Sequence, residues 1–224
     1  MGTLASDQRF GASCSAVAEF GDTKRTVIAV GAPGKSGNLE GKVFVIALAS
    51  DGSAFNHTTF GASVDGPSTV SSAERQFGVG VAFVGDLDAS GTPDLVVTEI
   101  KNGADEAVTV VYLSATGAES SRTLLLGSNN PGIAAISYPN DAEWARSAHP
   151  AGDVNGDGID DIVFGTHKAD GQRGGFGIAF MSEDGTPLGG VATREGMISD
   201  ALLAAYFDSL AQVGYDVTSA GDVD

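Results

Sequence analysis

Short apolar runs separated by turn-forming residues set the pattern of this chain. Residues 43–48 (VFVIAL), 108–113 (VTVVYL) and 176–181 (FGIAFM) are mostly apolar, and the first two are rich in β-formers. Each leads into a turn: ASDG at 49–52, SATG at 114–117 and SEDG at 182–185. A weaker run follows each turn, near 58–60, 123–126 and 188–192. Upstream lie three longer segments that align without gaps, at 10–31, 77–98 and 144–165. They start at Phe10, Phe77 and Trp144, so both intervals are 67 residues, and Val213 opens a fourth copy, VGYDVTSAGDVD.

Each copy reads as four short strands joined by hairpins. Four-stranded antiparallel units repeated along a chain are the blades of a β-propeller. A β-sandwich does not predict a gap-free repeat, and solenoid rungs are shorter, about 20–30 residues in leucine-rich examples. The expected fold is all-β: one partial β-propeller over 1–224, with blades at 10–76, 77–143 and 144–212 and the first strand of a fourth at 213–224. Residues 200–212 (DALLAAYFDSLAQ) lack turn formers and read as a short helix. Cys14 aligns with Val81 and Ala148 on the first strand, so a buried structural thiol is expected there.

The connection between the first two strands carries the candidate chemistry. In the second copy it is Asp86-Leu87-Asp88-Ala89-Ser90-Gly91-Thr92-Pro93-Asp94, and in the third Asp153-Val154-Asn155-Gly156-Asp157-Gly158-Ile159-Asp160-Asp161. Both place oxygen side chains at positions 1, 3, 5 and 9: Asp86, Asp88, Ser90 and Asp94, then Asp153, Asn155, Asp157 and Asp161. Alternate oxygens on a curled loop can converge on one centre, and Ca2+ takes about six to eight of them in flexible geometry. Gly91 and Gly158 at position 6 permit the sharp turn. Thr92 and Ile159 at position 7 would add backbone carbonyls. An EF-hand is excluded, because position 12 of the third loop is Phe164 and both loops run into strand-like sequence. Loop one, residues 19–27, has Val27 at position 9 and Lys24 and Arg25 inside, so it is read as metal-free.

These motifs resemble the FG-GAP repeat of integrin α-subunit propellers and their relatives. Phe10-Gly11 and Phe77-Gly78 match its FG element, Gly31-Ala32-Pro33 its GAP element, and the two acidic loops its calcium signature. Trp144-Ala145 and Val213-Gly214 depart from FG, and Ser90 replaces an acid. The resemblance implies acidic ligands at Asp94 and Asp161. It also implies a non-catalytic, extracellular or cell-surface module that binds a protein or glycan, as in adhesion. The alternatives are a non-catalytic accessory domain of a carbohydrate- or lipid-active enzyme, or a truncated gene product.

Composition narrows the partners. A net charge of −17 argues against nucleic acid and against anionic membrane surfaces. No stretch is long and apolar enough to span a bilayer, and no signal peptide is seen at the N-terminus. With one cysteine, no internal disulfide forms. Residues 29–36 approach a phosphate-binding loop, but Ala29 stands where glycine is required and a turn follows where a helix should. His57, His149 and His167 lack metal-ligand spacing. Asn56-His57-Thr58 is a glycosylation sequon. No catalytic constellation emerges. An unfinished ring exposes blade faces and edges, and these invite self-association. Because the sequence stops inside the fourth loop, continuation of the native protein on both sides is the expected completion.

Overall fold

A computed structural model of the chain describes residues 8–21, 24–34, 41–61, 75–101, 107–126, 144–166, 174–194 and 213–219. The fold is all-β, with no helix among these residues. Twelve strands form three four-stranded antiparallel sheets, each a meander in chain order. Sheet one is β1 (Ser13–Phe20), β2 (Arg25–Ala32), β3 (Lys42–Leu48) and β4 (Ala54–Gly61). Sheet two is β5 (Arg75–Phe83), β6 (Leu95–Lys101), β7 (Ala107–Leu113) and β8 (Glu119–Leu126). Sheet three is β9 (Trp144–Gly152), β10 (Asp161–Thr166), β11 (Gly175–Met181) and β12 (Pro187–Arg194).

Burial separates the sheets by position. Every residue of β7 is buried, as in a strand covered on both faces, whereas β11 alternates buried and half-buried positions. Sheet two is the middle layer. One core lies between sheets one and two, around Val27, Val43, Val45, Phe77, Leu95 and Leu113. A second lies between sheets two and three, around Val96, Val110, Tyr112, Ile162, Phe164 and Met181. The sheets follow one another in series and do not close on themselves.

Phe77-Gly78 and Gly31 meet at the junction between sheets one and two. Gly78 adopts φ +88°, a conformation that glycine reaches without steric cost, inside an irregular stretch of β5 between Phe77 and Val81. This seats Phe77-Gly78 against Gly31 and Gly41 of sheet one. A methyl group on Gly31 would overlap the Gly78 carbonyl oxygen, and one on Gly41 would overlap that of Phe77. Val213-Gly214 seats against Gly174 and Gly165 in the same manner. At the middle junction the GAP glycine is replaced by Thr98, and Trp144-Ala145 replaces FG. There Thr98 Oγ1 accepts from Gly80 N–H at 2.8 Å and donates to the Arg146 carbonyl at 3.3 Å. Both halves of that contact have changed together.

Several expectations need correction or restriction. Cys14 is exposed, not buried. Its counterparts Val81 and Ala148 are buried because a preceding sheet covers them, and nothing precedes sheet one in the described structure. Residues 213–219 form no strand, and Val213 makes a single parallel bridge to Gly174. The expected helix at 200–212 and the chain at 35–40 and 220–224 lie outside the described residues. Among the described residues no helix is long and apolar enough to cross a membrane.

Candidate metal centre

Each acidic loop leaves the first strand of its sheet and returns into the second. The first aspartate of each loop organises the curl by accepting backbone N–H groups. Asp86 Oδ1 accepts from Ser90 at 2.8 Å and Oδ2 from Gly91 at 2.6 Å. Asp153 repeats this: Oδ1 accepts from Gly156 at 2.7 Å and Asp157 at 3.0 Å, and Oδ2 from Gly158 at 2.8 Å. Position 3 caps the same turn, since Asp88 Oδ1 accepts from Ser90 N–H at 3.0 Å and Asn155 Oδ1 from Asp157 N–H at 2.9 Å. Gly91 and Gly158 have φ of +82° and +92°, as the turn at position 6 requires. Position 4 is also left-handed, at Gly156 with φ +79° and at Ala89 with φ +55°. The alanine makes loop two the more strained of the pair.

Position 9 is the keystone of both loops. Asp94 is buried, and its two oxygens accept from Leu87 N–H and Leu113 N–H, each at 2.9 Å. Asp161 is equally buried and accepts from Val154 N–H at 2.9 Å and Met181 N–H at 3.0 Å. One carboxylate thus ties the start of each loop to the end of the third strand. The donors Leu113 and Met181 were not singled out in the sequence. Their shared place at the end of the third apolar run was the available signal.

Three carboxylates converge in loop two. One oxygen from each of Asp86, Asp88 and Asp94 lies within 4.8 Å of the others. Three oxygens this close to one another could hold one ion between them. Burial pushes the Asp94 carboxyl up to about 6, and the neighbouring Asp88 and Asp86 charges add to the rise, against the pull of the two backbone N–H bonds. A cation would cancel that repulsion. The Ser90 hydroxyl reaches Asp86 Oδ1 at 3.4 Å, and Thr92 is buried. The donor set is all oxygen, which suits a hard cation.

Loop three has the same frame with a different distribution of groups. Asp157 Oδ2 accepts from Asn155 Nδ2 at 2.8 Å, and its Oδ1 accepts from Ile159 N–H at 2.9 Å. Ile159 packs against the core between sheets two and three, which anchors the loop. Asp160 lies beside Gly85, so the start of loop two carries a further carboxylate from its neighbour. In loop one, Phe20 pairs with Arg25 across the turn, and the Arg25 guanidinium stacks 4.1 Å above the Phe55 ring. Residues 22–23 of that loop lie outside the described residues. Compared with known proteins, the chain matches no family model and no curated sequence.

Proposed function

We propose that this chain is a calcium-binding, non-catalytic β-propeller module of the FG-GAP type, which presents loops to a protein or glycan ligand outside the cell. The observation that carries the reading is the meeting of Asp86, Asp88 and Asp94 oxygens within 4.8 Å on a strand-connecting loop, on a hydrogen-bonding frame repeated in loop three. Three meanders in series, the second seated on the first through the Phe77-Gly78 turn, support the propeller arrangement. The ion's part is structural. It neutralises clustered carboxylates and stiffens the hairpin, and loops held by a rigid scaffold are where ligands are bound.

Calorimetric titration with calcium tests the reading. Wild-type chain is expected to bind, and Asp88→Ala to lose affinity at loop two. Asp157→Ala is expected to weaken binding more than Ser90→Ala, because it removes a full charge whereas Ser90 offers one hydroxyl. Absence of binding heat, or equal losses in Asp157→Ala and Ser90→Ala, contradicts the assignment.

A further inference from the structure

The repeat places equivalent residues in covered and uncovered settings, and the comparison exposes two complementary faces. Ile28, Leu95 and Ile162 occupy the same place in the three units. Leu95 and Ile162 are fully buried against the preceding sheet, whereas Ile28 is only half-buried. Ala29, Val96 and Val163 form the next set. Ala29 and Val96 are fully buried against the following sheet, and Val163 is not. Phe20, Leu87 and Val154, at position 2 of the three loops, are 2%, 3% and 48% exposed. Among the described residues, sheet one therefore has no covering sheet on the face that sheets two and three turn to their predecessors, and sheet three has none on the face that sheets one and two turn to their successors.

Cross-strand register defines each open face. On sheet one, Ala16, Ile28, Ile46 and His57 form one rung, and Cys14, Val30, Phe44 and Thr59 the next. Phe10 extends it, meeting the Phe44 ring edge-on at 5.2 Å. On sheet three, His149, Val163, Ile178 and Val191 form a rung. Val191 and Leu188 of β12 are 46% and 67% exposed. Both faces are mostly apolar and carry no Asp, Glu, Lys or Arg on these rungs.

We infer that two copies of this chain associate head to tail, the outer face of sheet one in one copy packing on the outer face of sheet three in the other. The occupant follows from the molecule itself: the chain already joins these two kinds of face twice, at both internal junctions. Residues 213–219 engage sheet three at β9, at the end of β10 and at the start of β11. Gly175 N–H donates to the Val213 carbonyl, Val217 N–H to Ser147 Oγ, and Arg146 to the Tyr215 hydroxyl. The arriving β1 takes over those positions. With −17 charges on each copy, association strengthens as salt screens the repulsion.

Light scattering across a concentration series at high salt reads the contact. Wild-type mass should rise from one chain toward two and beyond. Ile46→Lys spoils only the sheet-one face and Ile178→Lys only the sheet-three face. Each variant alone should stay monomeric, and an equimolar mixture should form a one-to-one dimer through the remaining intact pair. If circular dichroism shows that a lysine unfolds the chain, Cys14→Lys and Val191→Lys, at exposed positions of the same faces, carry the same comparison. A monodisperse wild-type monomer, a variant that associates alone like wild type, or folded variants that stay monomeric when mixed would overturn the inference.

Discussion

Single residues show where packing has no slack. A methyl group at Gly31 collides with both the Gly78 carbonyl and Ser13 Oγ, and the Gly78 backbone cannot retreat without parting two sheets. Gly31→Ala should cost roughly 1–3 kcal/mol in urea unfolding. Gly189→Ala faces open space and should change stability by less than about 0.5 kcal/mol. Equal effects would refute the close-approach account of Gly31. Asp94 supplies a second residue-level test. Its folded carboxyl titrates near 6, above the usual carboxylate range near 4, because burial disfavours its charge. In calcium-free protein the proton is held more tightly in the folded than in the unfolded state. The Asp94 contribution is then fully present below about pH 4 and is lost as pH rises through 6. Wild type should lose stability relative to Asp94→Asn over that interval. Calcium bound at this carboxylate would reverse the trend, since ion and proton would compete for it. A calcium-free difference that does not change with pH contradicts the assignment.

At the scale of elements, the strands were largely legible. The apolar runs at 43–48, 108–113 and 176–181 are β3, β7 and β11 to within a residue at their starts, because the turns after them carry strong local chemistry. Burial was less legible. Cys14 and Val81 share a repeat position, and only the presence of a preceding sheet decides which is covered. The spacing of oxygen side chains in the loops was legible, but the clamp on Asp94 and Asp161 by the distant Leu113 and Met181 amides is tertiary. Hydroxyl latches between sheets were equally hidden. Thr58 donates to the Gly117 carbonyl at 2.5 Å, and Tyr112 donates to the Gly185 carbonyl at 2.7 Å. Each joins one sheet to the hairpin turn of the next. Tyr112→Phe leaves the Gly185 carbonyl and the Thr123 hydroxyl without that partner and should lower stability by about 1–2 kcal/mol. A change below about 0.3 kcal/mol would mean that the latch contributes only packing.

For the whole molecule, three units follow one another in series, and carboxylates gather in the acidic loops. Asp86, Asp88 and Asp94 crowd one loop end, Asp160 lies beside its start, and the chain carries −17 overall. An ion that binds only the folded state stabilises it by mass action, about 2.7 kcal/mol for one site at a hundredfold excess over Kd. For a chain of this size each kcal/mol moves Tm by about 2–4 °C, so one occupied site should add roughly 5–10 °C. Magnesium should substitute poorly, because it demands a smaller octahedral shell and gives up water reluctantly. The most direct measurement is a thermal melt of the chain at neutral pH in excess calcium, in excess magnesium and in chelator. The account predicts the highest Tm in calcium, with magnesium close to chelator. Superimposable melts in calcium and chelator would contradict it.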